Sequence, residues 1–194
     1  MPDAVRPSRP FRPRLVPEPS AGPGAAPGAG EGMLRSASAS PVRTAVYFYS
    51  SASGMVRSFA QRLGREVFDL SEREVRRSVP AGPWVLLTPS YKTGNVDNDT
   101  IPEPVRRFLS SPLARRRLVG VMGSGNRNFG EHYQAACRQI ARTSGRPVLF
   151  EFELQGTSWD VEEARRILDD LDLALTAEHA RLASGASGGV RGSR

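Results

Sequence analysis

Between Thr44 and Leu175, apolar β-rich runs alternate with helical stripes, and this alternation narrows the fold more than any other feature of the 194-residue chain. TAVYFY (44–49) is followed by Val56, Phe59, Ala60 and Leu63, whose i, i+3, i+4, i+7 spacing predicts an amphipathic helix. A short run at Val67–Leu70 and the strand WVLLT (Trp84–Thr88) come next, then a loop from Pro89 to Asp99. Thr100 and Glu103 have capping-box spacing ahead of Val105, Phe108 and Leu109, which predicts a helix starting at Thr100. LVGVM, the stripe Tyr133, Ala136, Cys137 and Ile140, the strand PVLFEFEL, and the stripe Val161, Ala164, Leu168 and Leu171 complete the series. Strand and helix alternating in this way predict an α/β fold, a doubly wound five-stranded parallel sheet with helices on both faces. Right-handed crossovers in so small a chain favour the flavodoxin-like order 2-1-3-4-5. A ligand crevice is then expected at the carboxyl ends of the first, third and fourth strands.

Composition sets the limits of that domain. Residues 1–43 hold nine of the sixteen prolines, five glycines and scattered arginines without an apolar pattern. Such a segment cannot bury enough surface to offset its ordering entropy, so residues 1–43 are expected to be a disordered extension, 44–176 the folded domain and 177–194 a flexible Gly/Ser-rich tail. Met33 stands just before the folded part and is a candidate translation start, an expectation that an intact mass including Met1 to Gly32 would overturn. The formal charge is +7, yet residues 44–175 carry eighteen basic and sixteen acidic side chains, so most of the excess sits outside the domain. Basicity placed there favours solubility over a nucleic-acid docking surface, and the Arg115, Arg116, Arg117 run reads as a solvated turn. With Cys137 as the only cysteine, neither an intrachain disulfide nor a cysteine metal cage can form. No stretch has the length and apolarity of a membrane span, and a cytoplasmic setting is expected.

Two loops carry the chemistry. SSASG (Ser50 to Gly54) lies between the first strand and the first helix, where hydroxyls, backbone N–H groups and a helix N-terminus favour an anion. GSGNRNFG (Gly123 to Gly130) follows the fourth strand, where Asn126, Asn128 and the glycines can offer polar groups to a heteroaromatic edge and Phe129 can cover a face. Gly125 and Gly130 have Walker A spacing, but Glu131 and His132 stand where Lys and Ser/Thr are required. No GxGxxG occurs either, so the nucleoside triphosphatase and dinucleotide readings lose support. In the third loop, Tyr91 offers a flat ring, or else packs as part of a surface turn, while Gly94 and Asn95 permit tight backbone. His132 reads as a polar residue near a helix start, His179 as part of the tail and Cys137 as a packed core thiol.

The stretches YFYSSAS, TPSY, IPEPVRRFL, GSGNRNFGEHY and FELQGT resemble the NrdI family, small flavodoxin-like flavoproteins that serve class Ib ribonucleotide reductase. The resemblance runs from about Val46 to Leu168, and SGNRNFGE is its most specific part. It implies an FMN site in which Ser50, Ser51 and Ser53, with Gly54, bind the phosphate, while Ser90 and Tyr91 lie beside the isoalloxazine. Ser124, Gly125, Asn126, Asn128, Phe129 and Gly130 resemble the loop lining the ring. The implied function is delivery of a reduced-oxygen oxidant, superoxide, to the dimanganese site of the reductase small subunit, where the manganese-tyrosyl radical is assembled. A separate reductant would supply the flavin.

Two departures from the family stand out. Met55 and Val56 replace an Asn-Thr pair, removing an amide and a hydroxyl whose bonds to a charged phosphate are worth roughly 1.5 to 3 kcal/mol each, so weaker FMN binding than in relatives is expected. Lys92, Thr93, Gly94 and Asn95, in a longer loop with Asp97 and Asp99, replace a glycine-rich run where flavin redox behaviour would be tuned. Lys92 stabilises an anionic reduced flavin if it stands beside the ring, and is otherwise a solvated charge. The competing readings are a general flavodoxin-type electron carrier, which the mildly basic domain disfavours, and a cofactor-free binding protein suggested by Met55 and Val56. Nucleic-acid binding through the arginine-rich tails is a weaker fourth, and steep salt dependence would be its mark.

Overall fold

A computed structural model describes residues 41–91 and 100–186. The expectations for residues 1–40, for Lys92 to Asp99 and for 187–194 lie outside the described residues. Five strands, β1 (Ala45–Phe48), β2 (Val67–Asp69), β3 (Trp84–Pro89), β4 (Leu118–Gly125) and β5 (Val148–Glu153), form one sheet in the order β2-β1-β3-β4-β5. Every neighbouring pair is parallel, which is the order and sense expected from the alternation.

Alternation of side chains along the strands divides the core in two. Val46 and Phe48 of β1, with Val85 and Leu87 of β3, face α1 (Met55–Arg62) and α6 (Ser158–Ala186), meeting Val56, Phe59, Val161, Ala164 and Leu168. Tyr47 and the β3 residues Trp84 and Leu86 face the opposite way. They pack with α3 (Glu103–Leu109), α4 (Pro112–Arg117) and α5 (Ala135–Ser144) through Val105, Phe108, Ala114, Cys137 and Ile140. All six β3 residues are buried, as expected of a central strand covered on both faces. Trp84 Nε1 donates to Ala114 O at 2.8 Å, so the largest core side chain also satisfies its one polar atom.

The structure departs from the sequence reading at helix ends. A short helix, α2 (Arg73–Arg77), follows β2. Thr100 is not a cap: α3 begins at Glu103 behind Pro102, and Thr100 is buried with its Oγ1 donating to Gln139 Oε1 at 3.0 Å. Pro102 and Pro104 fit a helix start at Glu103, three residues later than the Thr100 start that the capping-box spacing implied. Arg115 to Arg117 form the last turn of α4, not a turn outside any helix. α6 continues through Ala186, past the boundary expected at 176, although the apolar stripe ends near Leu171 and Leu173 and Leu182 are 70% and 66% exposed. The packed first half supplies the nucleus, and LALTAEHARLA has the propensity to propagate from it.

Arg65 fastens α6 to the start of β1. Its side chain is only 1% exposed and donates to Asp172 Oδ2 at 2.7 Å, Asp169 Oδ1 at 2.6 Å and Thr44 O at 3.3 Å. Asp172 Oδ1 in turn accepts from Thr44 N and Thr44 Oγ1. Arg65→Met keeps the apolar stem but removes these charge-assisted bonds, and is expected to cost about 2 kcal/mol, since Thr44 still satisfies part of Asp172. Asp169 is mostly exposed, so Asp169→Ala should cost less than about 0.5 kcal/mol. Urea unfolding of both variants checks the contrast, and equal losses would count against the Arg65–Asp172 contact.

Candidate functional site

The strand order sets the ends of β1, β3 and β4 side by side, so their three following loops share one sheet edge. In the first, Tyr49 N donates to Leu87 O at 3.2 Å, and the chain then turns tightly, Gly54 N donating to Ser51 O at 3.0 Å. Gly54 has φ 70°, which only glycine adopts without strain, and α1 starts directly behind it with no side-chain cap. The N–H groups of its first turn are therefore presented to whatever occupies the loop, an arrangement that favours an anion. Ser51 and Ser53 are placed to join them, with their hydroxyls 2.9 Å apart. Ser50 is buried and donates to Ser51 O at 3.3 Å, shaping the turn from within. Val56, only 4% exposed, belongs to the core, so at this position the chain can offer the crevice its N–H alone.

In the second loop, Ser90 is buried, its N donating to Ser124 O at 2.9 Å and its Oγ accepting from Ala136 N at 3.1 Å. That hydroxyl anchors the start of α5 and has only its proton left to give. Tyr91 follows, half-buried, with its Oη buried and without a hydrogen-bond partner. Burial raises the phenol pKa. The Ser51 hydroxyl opposes that shift and Tyr49 adds to it, though neither forms a bond of ordinary geometry with Oη.

The third loop is held from behind by β5. Ser124 Oγ donates to Leu154 O at 2.6 Å, and Leu154 N donates to Gly125 O at 2.9 Å. A Cβ on Gly125 would stand 2.9 Å from the Tyr133 ring and 3.1 Å from Gln134 N, so only glycine lets the chain pass there. Asn126 Oδ1 accepts from Asn128 N at 2.9 Å and opens the short 3-10 segment Arg127–His132. Within that segment Gly130 has φ 55° and ψ −121°, which turns the backbone sharply. Asn128 is exposed and Phe129 half-buried, both free of the strand ladder.

The residues expected at the crevice thus divide by direction. Ser50, Ser90 and Ser124 turn inward and fix the loops, whereas Ser51, Ser53, Tyr91 and the Asn126–Gly130 turn line the edge. Two residues that matter were missed as site residues by the sequence reading. Gln134, fully buried with φ 59°, donates from Nε2 to Phe152 O at 2.8 Å and locks the loop to β5. His132, a polar residue shortly before the start of α5 as expected, is buried, and its Nδ1 has no partner. No spacing marks either one, because both are aimed by a local reversal of the backbone. Among the described residues no cluster of three or more His, Cys, Asp or Glu could hold a metal, and no helix is long and apolar enough to cross a membrane.

Cys137, beside this loop, carries no chemistry of its own. Burial first, then the neighbouring Glu151 carboxylate, push its thiol from an ordinary 9.0 up to about 12. The fold therefore holds a proton that the unfolded chain releases near pH 9. Stability from this group is fully present below about pH 9 and is lost as pH rises toward 12. Ellman's reagent at pH 8 should label the native protein only as fast as it unfolds, and the urea-unfolded chain at once. Rapid native labelling would contradict the buried placement.

Comparison with known proteins agrees with this geometry. A family model described as NrdI flavodoxin-like matches residues 46–166. Protein NrdI of Bartonella tribocorum is 40% identical over 116 residues, 60% of this chain and 86% of that protein. Protein NrdI of Escherichia coli O127:H6 is 40% identical over 119 residues, 61% of this chain and 87% of that protein. Among solved structures, a short-chain flavodoxin associated with a non-canonical PDU bacterial microcompartment shares the fold at a TM-score of 0.50 and 20% identity, covering 70% of this chain and 99% of its own. By its fold, its loops and its sequence match, the chain belongs to the NrdI flavodoxin-like family.

Proposed function

We propose that the chain is a cytoplasmic FMN-binding flavoprotein that serves class Ib ribonucleotide reductase, supplying superoxide for assembly of the dimanganese-tyrosyl radical cofactor in the small subunit. The observation that carries the reading is the pair of buried polar atoms without partners, Tyr91 Oη and His132 Nδ1, on the loops that follow β3 and β4. Buried polar groups are nearly always satisfied, and these two are the only such side-chain atoms among the described residues. A polar ligand in the crevice would satisfy them.

The donor set suits FMN. Ser51, Ser53 and the uncapped first turn of α1 would hold the phosphate, and Tyr91 with the Asn126–Gly130 turn would flank the ring. When bound and reduced, FMN supplies single electrons to dioxygen, which yields superoxide. The protein's part is to orient, to exclude water and to present a docking face. With Val56 turned into the core and Met55 apolar, phosphate binding leans on backbone N–H groups, and its affinity should be lower than where amide and hydroxyl side chains assist.

The test has two stages. Protein incubated with FMN and desalted should keep an oxidised-flavin spectrum, and a colourless protein would favour the cofactor-free reading. The reduced holoprotein should then generate the tyrosyl radical, read by electron paramagnetic resonance, on a manganese-loaded small subunit in the presence of oxygen. No radical above a protein-free control would sink the activator role. Rescue of an unrelated flavodoxin-dependent enzyme in its place would favour an electron carrier.

A further inference from the structure

α6 outlasts the domain it packs on. It starts past the carboxyl end of β5 and runs back along the sheet, and at Asp172, which accepts from Thr44 N and Oγ1, and Thr176, whose Oγ1 accepts from Val42 N at 2.9 Å, it has reached the start of β1. Residues 177–186 therefore project about 15 Å beyond the amino edge of the sheet, the edge opposite the loops after β1, β3 and β4. This overhang and that edge bound a groove of about 370 Å³. One helix face lines it, since Leu175, Glu178, His179 and Leu182 follow the i, i+3, i+4, i+7 spacing. Pro83 and Val119, at the starts of β3 and β4, add apolar surface. The helix stripe lies past residue 166, where the family match ends, so it belongs to this chain's extension and not to the flavin edge.

The sheet-side wall is cationic. Arg116 and Arg117, in the last turn of α4, and Arg146, just before β5, bring three guanidiniums to the groove against the single carboxylate of Glu178. Helix capping does not account for them. Arg115 is the residue that caps, its Nη1 donating to Leu109 O and Ser110 O at the end of α3. Arg117 gives an N–H to Pro80 O, while the guanidiniums of Arg116 and Arg146 meet no partner among the described residues. On the helix side Leu182 is 66% exposed. Unpaired guanidiniums beside exposed aliphatic surface suit a ligand that carries carboxylates and an apolar side chain together. Nucleic acid fits less well, because no Phe, Tyr or Trp lines the groove for a base to stack on and Glu178 shares it with the arginines. Residues 1–40 and 187–194 carry more arginine than acid, so the complement belongs to another protein. We infer that this groove is a second binding site, in which a short Asp/Glu-rich segment of a partner protein sets its carboxylates on Arg116, Arg117 and Arg146 and an aliphatic side chain against Leu175 and Leu182. The inference stands apart from the flavin reading, whose crevice is at the other edge.

Fluorescence anisotropy of the full chain with a fluorescein-labelled peptide repeating Asp-Glu-Leu tests this, beside a peptide repeating Asp-Glu-Ser and a labelled oligothymidylate. Arg116→Gln/Arg146→Gln removes the two unpaired guanidiniums, which hold nothing in the fold, so its melting temperature should match that of wild type. The expected result is an affinity for the Asp-Glu-Leu peptide at least about tenfold lower in that variant and unchanged in Arg12→Gln/Arg14→Gln, which lowers the charge equally outside the groove. Leu182→Ser should weaken the Asp-Glu-Leu peptide about fivefold and leave the Asp-Glu-Ser peptide as it was. Equal losses in the two arginine pairs would reduce the attraction to net charge and overturn the inference, as would a wild type that binds both peptides alike or neither. Oligothymidylate bound more tightly than the Asp-Glu-Leu peptide, and lost with Arg116 and Arg146, would make the groove a nucleic-acid site and overturn it as well.

Discussion

Gly123→Ala is expected to lower the free energy of unfolding by about 3 kcal/mol, the largest stability loss we foresee from adding a single methyl group. A Cβ at this β4 position would sit 2.3 Å from Gln134 Oε1, 2.4 Å from Cys137 Sγ and 3.0 Å from Cys137 Cβ. None of these atoms is at the free end of a surface side chain. Gln134 is fully buried, its backbone is left-handed, and its Nε2 is committed to Phe152 O at 2.8 Å. Cys137 is equally buried on α5. Either α5 backs away from the sheet, an overpacking cost of roughly 1 to 3 kcal/mol, or Gln134 abandons its bond and leaves a buried amide unpaired at a similar cost. Gly54→Ala is the control. Nothing lies within 4 Å of a Cβ there, so only the strain of φ +70° remains, about 1 kcal/mol. Urea unfolding followed through tryptophan fluorescence measures both, and a Gly123→Ala loss no larger than that of Gly54→Ala would refute the contact argument. Because Ala136 N on α5 bonds Ser90 Oγ, displacement of α5 should also weaken FMN binding.

The layered architecture was legible because burial on both faces leaves a double signature. β3 is apolar at nearly every position, and each helix shows one apolar stripe, so Trp84, Leu86, Val105, Phe108 and Ile140 fall on one side and Val56, Phe59, Val85 and Leu168 on the other. Helix termini were less legible, since they depend on competition among local partners. Thr100 had the spacing of a cap, yet two prolines reset the start of α3 and Gln139 took its hydroxyl. At the site, residue type does not give side-chain direction. Of the seven serine and asparagine residues expected at one ligand, Ser50, Ser90 and Ser124 use their hydroxyls to hold the loops from inside. Gln134 and His132 gave no signal at all, because their positions follow from left-handed turns at Gly130 and Gln134 that no periodicity encodes.

Ser53→Asp should separate phosphate recognition from every other property of the site. Ser53 is exposed and lies one residue before the N-cap Gly54, so a carboxylate there would occupy the electrostatic position proposed for the phosphate. A negative charge beside an uncapped helix N-terminus is favourable, and the ligand-free variant is expected to be as stable as wild type or more stable by about 0.5 kcal/mol. The FMN phosphate would meet that carboxylate a few ångströms away. Like charges at about 4 to 5 Å in a partly exposed site repel by about 3 kcal/mol, so FMN affinity should fall roughly 100-fold, while riboflavin, which lacks the charge, should bind as it does to wild type. High salt should recover part of the loss, because an exposed carboxylate is screened. Stability and FMN affinity would then move in opposite directions on one substitution. General damage to the loop cannot produce that pattern, since it would lower stability and both flavin affinities together. FMN binding that survives Ser53→Asp would remove the Ser51–Gly54 turn as the phosphate site and leave the β3 and β4 loops as the only flavin contacts.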